Sequence, residues 1–155
     1  MRDILLSMVK LVRNYLSEDT LDLASYYWFI SCLFSKKELA GERAIWILRE
    51  VPEVSQTIFD QFMRTPRLDV QIECSYIILN MAMNFSIEEI FSLNENHFMQ
   101  IILNKINACY LHETVLQNLL LVTNEILFNK KDDYFLIDDF KALGGVNTLS
   151  ALTLH

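Results

Sequence analysis

The chain has 155 residues, about the length of one ordinary domain, and carries a net charge of −7. Hydrophobic residues make up 52% of it, and only three residues are glycine and two are proline. This composition predicts a mostly helical protein with a large core, and it excludes intrinsic disorder, since a disordered chain lacks apolar residues to bury. The acidic balance disfavours nucleic acid as a partner and is compatible with a basic protein. No apolar run reaches 18 residues, so no membrane-spanning helix is expected, and a membrane is not among the expected partners.

The first predicted element is an amphipathic helix near the N-terminus. Apolar residues of the stretch MRDILLSMVKLVRNYL recur at helical spacing. Lys10 and Arg13 interrupt what would be the apolar core of a signal peptide. A mitochondrial presequence is the alternative, and Asp3 together with the scarcity of serine counts against it. We therefore expect a structural helix and a cytoplasmic or nuclear protein.

Helix start and stop signals divide the rest of the chain into short helices. Ser35 with Glu38 and Ser86 with Glu89 both match the capping box, and Thr65 followed by a proline resembles an N-cap with a first-turn proline. The predicted helices are 2–16, 19–34, 38–50, 52–64, 68–84, 87–95, 97–108, 111–128, 133–142 and 146–155. No stretch alternates as a half-buried strand does, and no linker appears, so one domain over 1–155 is expected.

Three of these helices resemble one another. They contain ASYYWFISCLF (24–34), CSYIILNMAMN (74–84) and NLLLVTNEILF (118–128). Aligning them places Cys32, Asn80 and Asn124 at one position. Four residues earlier stand Trp28, Tyr76 and Leu120, and two residues earlier stand Ile30, Ile78 and Val122. The copies lie 48 and 44 residues apart, near the period of armadillo and HEAT repeats.

The C-terminal stretch IDDFKALGGVNTLSAL, residues 137–152, contains two of the three glycines side by side. It resembles the armadillo pattern of a short first helix, a double glycine and an aliphatic second helix. Gly144 and Gly145 then form a structural turn between packed helices, with no room for a side chain and with a positive φ at one position. The alternative is an ordinary double glycine in a loop.

The closest family resemblance is to importin-α. DVQIECSYIILNMAMN (69–84) and SYYWFISCLFSKKE (25–38) are similar to that family's third-helix pattern, in which an aromatic residue precedes an asparagine by one turn. The resemblance implies an all-α, right-handed α-solenoid of armadillo repeats, about three repeats and a partial fourth. It also implies a groove that holds an extended basic peptide of the nuclear-localisation type. The groove residues would be Trp28, Asp69, Glu73, Tyr76, Asn80, Asn84 and Asn124.

The charges of the three similar helices support a basic ligand. Residues 20–35, 68–85 and 111–129 contain no lysine or arginine. Their acids are Asp22, Asp69, Glu73, Glu113 and Glu125. An acidic groove attracts a basic peptide and repels an acidic one. The alternative is that these helices are simply buried and apolar, which explains few charges but not the absence of bases.

Residues for catalysis or for a cofactor are not evident. His97, His112 and His155 stand apart without metal-ligand spacing, and His112 at a helix start is better explained as a cap. The carboxylate pairs 132–133 and 138–139 are better explained as helix-start and surface charges. No nucleophile motif or phosphate-binding glycine loop occurs. We expect a non-enzymatic protein with no metal and no cofactor, and with its cysteines reduced and buried.

Two functions remain open at this point. One is an importin-α-like adaptor that holds a basic peptide. The other is a short armadillo scaffold, built permanently into a larger assembly. The last predicted helix leaves an apolar solenoid end, which predicts either that the chain is a fragment of a longer solenoid or that a partner or a second copy docks onto this end.

Overall fold

A computed structural model describes residues 7, 10, 23–35, 52–86, 88–89, 98–108, 112–129 and 134–152. Every regular element in these ranges is helical and none is a strand, as the composition predicts. Predicted helices 2–16 and 87–95 lie outside the described residues except at four positions that are helical, Ser7, Lys10, Glu88 and Glu89. Predicted helix 38–50 lies wholly outside them.

Seven α-helices and one π-helix make up the described ranges. They are α1 (Leu23–Phe34), α2 (Pro52–Arg64), α3 (Leu68–Asn84), α4 (Phe98–Ile106), α5 (Glu113–Asn124), the π-helix Glu125–Asn129, α6 (Tyr134–Ala142) and α7 (Gly145–Leu152). The bounds of α2 and α3 match the predictions. The predicted helix 111–128 is wrong in its last turn, because the α-helix ends at Asn124 and continues as the π-helix.

Side-chain caps stand at two helix starts, Ser86 and His112. The Ser86 N–H donates to Glu89 Oε2 at 2.9 Å and the Glu89 N–H donates to Ser86 Oγ at 3.3 Å, which confirms this capping box. His112 Nδ1 accepts from the Thr114 N–H and caps α5. Thr65 Oγ1 accepts from the Arg67 N–H at 3.2 Å, as the predicted N-cap side chain would, although α3 begins later, at Leu68, with a backbone bond from the Gln71 N–H to the Arg67 carbonyl.

Contacts divide the chain into two compact units, residues 1–84 and 85–155. The prediction of one domain over 1–155 stays a prediction. In the first unit, α3 packs against both α1 and α2. Its core holds large side chains from all three helices, which are Tyr27, Ile30, Ile58, Phe62, Cys74, Ile77, Ile78 and Met81.

Tyr27 is fully buried in this core, and its hydroxyl has no hydrogen-bond partner in the described part of the chain. Because a buried polar group without a partner costs about 1–3 kcal/mol, Tyr27→Phe is expected to raise the free energy of unfolding by about 1 kcal/mol. Urea denaturation measures the change. Tyr26→Phe is the matched control with an expected change near zero, since Tyr26 is only half-buried. A clear loss of stability in Tyr27→Phe would contradict an unpaired hydroxyl.

In the second unit, α4 packs against α5 and α7, and α6 packs against α7 and the π-helix. Asn107, just after α4, donates from Nδ2 to Thr148 Oγ1 on α7 at 3.0 Å. Phe98, Ile102, Val115, Leu119 and Phe140 are among the buried side chains of this unit.

The double glycine connects α6 to α7. Gly144 has a φ of +81°, a conformation that favours glycine. A Cβ at Gly145 would overlap the Phe140 ring, so this position has no room for a side chain. The turn closes with the Gly144 N–H bonded to the Lys141 carbonyl and the Thr148 N–H bonded to the Gly144 carbonyl. The two glycines thus meet different requirements, one of backbone angle and one of space.

Candidate functional site

The three similar helices α1, α3 and α5 share one pattern of burial. The aligned aliphatic residues Ile30, Ile78 and Val122 are all buried, with exposed fractions of 1%, 0% and 0%. Two residues earlier, Trp28 and Tyr76 are exposed and Leu120 is half-buried. The aligned aliphatic position therefore faces the core in all three helices, whereas one position before it Phe29 and Leu121 are exposed and Ile77 is buried.

Helices α1 and α3 pack against each other, and their contacts join residues about one repeat apart. Near the end of α1, Asn80 Nδ2 donates to the Ser31 carbonyl and to Ser31 Oγ, both at 3.3 Å. One turn earlier on α1 is Tyr27, and its phenol has a pKa raised by burial and further by the Cys74 thiol. Both pairs follow the same order along the two helices, which indicates that α1 and α3 are parallel and that Trp28 and Tyr76 lie at a similar level.

We call the resulting surface the aromatic face. It comprises Ser25, Trp28 and Cys32 on α1 and Glu73, Tyr76 and Asn80 on α3. Trp28 is 58% exposed and Tyr76 is 40% exposed, which is high for such large side chains. The face offers two accessible rings on adjacent helices.

The two asparagines of α3 already have partners within their own unit. Asn80 uses its amide nitrogen to hold α1, so of its side chain only Oδ1 has no partner among the described residues. Asn84 Nδ2 donates to the Asn80 carbonyl at 3.0 Å. The side-chain nitrogens of both residues therefore already donate within the fold and are less available to a peptide backbone.

Asp69 forms a salt bridge with Arg67, a base just outside the groove segment that the sequence predicts. Arg67 donates from Nε to Oδ1 at 3.2 Å and from Nη2 to Oδ2 at 2.7 Å. These bonds hold the pKa of Asp69 below its ordinary value. Arg67 lies one residue before the lysine- and arginine-free stretch, so it neutralises the acid at the start of α3.

Glu73 is the acid on the aromatic face. No lysine or arginine stands beside it on α3, and partial burial raises the pKa of its carboxyl above the ordinary value. Because burial disfavours the ionised form, a cation bound at this carboxylate would relieve that cost.

Replacing this acid by Gln is expected to stabilise the fold at neutral pH. A carboxyl whose pKa is raised on folding binds more protons in the folded state, so its ionisation lowers stability as the pH rises through that pKa. Glu73→Gln removes this dependence, and its advantage should disappear at a pH below the carboxyl's ordinary range. Urea denaturation at several pH values measures the effect, with Glu113→Gln, an exposed acid on α5, as the control. An equal stability difference at all pH values would contradict this account.

Asn124 lies in the other unit, on α5. It lines an open depression of about 510 Å³ together with Glu113, Leu116, Gln117, Leu120 and Leu121. These positions are the α5 equivalents of the α3 residues from Asp69 to Asn80, with leucine in place of the exposed tyrosine. Asn124 therefore lies on this depression and is not part of the aromatic face.

The cysteines, the possible metal ligands and the apolar helices decide which other kinds of site are available. Cys74 is buried as expected, but Cys32 is exposed, so the prediction of a buried thiol is wrong there; Cys109 lies outside the described residues. No group of three or more His, Cys, Asp or Glu residues that could hold a metal ion occurs among the residues described. Within those same ranges, no helix is long and apolar enough to cross a membrane.

The described ranges also expose several large apolar side chains that no motif in the sequence indicates. Phe29 on α1, Met83 on α3 and Phe128 in the π-helix are 45%, 53% and 66% exposed.

A comparison of the chain with protein-family models, curated proteins and solved structures finds no significant match.

Proposed function

We propose that this chain is a non-enzymatic protein-interaction module that holds an extended basic segment of another protein on its aromatic face. The proposal rests on one observation: Trp28 and Tyr76 are both exposed, on two packed helices whose contacts join residues about one repeat apart. No lysine or arginine occurs in 23–35 or 68–85 to repel a basic ligand.

The geometry suits lysine or arginine side chains in particular. An exposed aromatic ring accepts the aliphatic stem of such a residue and attracts its cation, worth about 0.5–2 kcal/mol per contact. Packed helices lie about 8–10 Å apart, and residues two or three positions apart in an extended chain span about 7–10 Å. A segment that crosses α1 and α3 thus presents one basic residue to Trp28 and another to Tyr76.

Two polar groups complete the proposed site. Glu73 supplies the carboxylate that pairs with a ligand cation. Asp69 does not take this role, because its carboxylate already forms a salt bridge with Arg67. Asn80 Oδ1 accepts a peptide N–H, while its nitrogen keeps α1 in position. The site therefore uses part of the set of groove residues that the sequence predicts.

We also infer that the repeat unit is of the armadillo type. The shared burial pattern at spacings of 48 and 44 residues, the parallel pair α1 and α3, and the Gly144–Gly145 turn support it. With the resemblance to importin-α, this extends the proposal to a ligand of the nuclear-localisation type and to a protein that works in the cytoplasm, the nucleus or both.

The test is a titration of the full chain with a fluorescent peptide rich in lysine and arginine, followed by anisotropy at low and at physiological salt. We expect micromolar binding that persists at physiological salt and weakens about tenfold in Trp28→Ala and in Tyr76→Ala. Met63→Ala, which shortens another exposed apolar side chain on α2, is the matched control and should bind as the wild type does. Binding that disappears with salt, or that ignores both ring deletions, would refute the proposal.

A permanent scaffold subunit is the second candidate. It is favoured by the Arg67–Asp69 pair and the Asn80–Ser31 bonds, since two predicted ligand contacts already serve the fold. A scaffold whose exposed rings are normally covered would self-associate when pure, whereas an adaptor would stay monomeric. Sedimentation of the wild type and of Trp28→Ser separates the two: self-association that the substitution abolishes supports the scaffold.

A further inference from the structure

The depression on α5 is a second candidate surface, separate from the aromatic face. We call it the α5 groove, defined by Glu113, Leu116, Gln117, Leu120, Leu121 and Asn124. It has a volume of about 510 Å³ and is open to solvent, and these lining residues all lie along α5. Leu121 is 47% exposed, and Leu116 and Leu120 are half-buried, so the middle of the groove is apolar.

Polar groups stand at both ends of this apolar centre. Gln117 and Asn124 are exposed amides, and neither has a hydrogen-bond partner in the part of the chain described. Glu113, in the first turn of α5, is exposed and is the charged residue among the lining side chains. No lysine or arginine occurs from 112 to 129, so the groove attracts cations.

The free amides favour an extended ligand over a helical one. A helix satisfies its own backbone groups, so it would leave Gln117 and Asn124 without a use. An extended segment has unpaired N–H and C=O groups, and amide side chains are able to bond both kinds. The leucines offer an aliphatic side chain a place to bury, without the ring surface that a cation prefers.

We propose that the α5 groove binds an extended segment of a partner protein that carries a large aliphatic residue and, three positions away, a lysine or arginine. The spacing follows from the helix: Glu113 and Leu120 are separated by about 10 Å along the axis. Three residues of an extended chain in the polyproline II conformation span about 9 Å, and every third side chain of that conformation lies on the same face. The aliphatic side chain contacts Leu120 and Leu121, the cation pairs with Glu113, and the amides bond the segment's backbone.

This surface requires neither Trp28 nor Tyr76, so its test is independent of the proposed function. The probes are short acetylated and amidated Ser/Thr peptides with one leucine and one lysine three positions apart, made in both orders. Nitrogen-15 NMR spectra of the full chain follow each titration. We expect changes at the backbone amides of α5 with one of the two orders and dissociation constants near or below about 1 mM.

Peptides and variants that remove one contact each complete the experiment. Alanine in place of the peptide's leucine, or Leu121→Ser in the protein, should weaken binding at least fivefold. Glu113→Gln should remove the preference for the lysine peptide over a glutamate peptide. Val146→Ser, at another exposed apolar residue of the same unit, and Trp28→Ala should change nothing. The absence of any change on α5, or binding that is indifferent to leucine or to Leu121→Ser, would overturn the proposal.

Discussion

Ile78→Ala is expected to lower the free energy of unfolding by about 2–5 kcal/mol, because it removes a fully buried side chain from the core of the first unit. Ile78 lies on α3, the helix that packs against both α1 and α2, and its side chain is 0% exposed. Urea or thermal denaturation measures the loss. The effect should be among the largest of any single substitution in the chain.

Tyr76→Ala, two residues away, is the matched control. It removes more atoms than Ile78→Ala does, yet it should cost less than about 1 kcal/mol, since surface substitutions are usually nearly neutral. The same contrast applies to Ile30 and Trp28 on α1, where the first is buried and the second exposed. A large loss of stability in Tyr76→Ala or Trp28→Ala would show that the rings belong to the core and would contradict the aromatic face.

Gly145→Ala is expected to destabilise the chain by about 1–3 kcal/mol, because the new Cβ would overlap the Phe140 ring inside the second unit. Gly144→Ala meets open space but keeps a φ of +81°, so it should cost about 1–2 kcal/mol through backbone strain alone.

A second substitution separates these two causes. Phe140→Leu removes the ring atoms that Gly145→Ala would meet, so the double variant should lose less than the two single losses added together. When Phe140→Leu is combined with Gly144→Ala, the loss of stability should equal the sum of the two single losses, since no atom lies within 4 Å of a Cβ at Gly144. Thermal denaturation of the three single and two double variants measures the energies. Additivity in both pairs would contradict a clash at Gly145.

The helices were predictable because their signals are local. Ser86 and Glu89 bond each other as a capping box whatever the rest of the chain does, and the bounds of α2 and α3 follow from a proline and from apolar spacing. The aligned core positions were predictable for a related reason: a residue that is buried in one copy of a repeat is buried in the next, as Ile30 and Ile78 are.

The partners of polar side chains were not predictable in the same way. Nothing in the sequence says that Arg67 pairs with Asp69 rather than extending into solvent, or that Asn80 donates to a serine 49 residues away. Those contacts depend on how helices pack, and they decide which predicted groove residues remain free. The π-helix after Asn124 is a further case, because its side chains are ordinary for an α-helix.

Binding of a basic segment by the aromatic face itself is the core of the proposed function. Nitrogen-15 NMR of the full chain, titrated with the lysine- and arginine-rich peptide at physiological salt, locates the contact. We expect the largest and saturable changes at Trp28, including its indole N–H, and at Glu73 and Tyr76. Changes confined to α2 or to the second unit, or small changes spread over all acidic residues, would refute binding at this face.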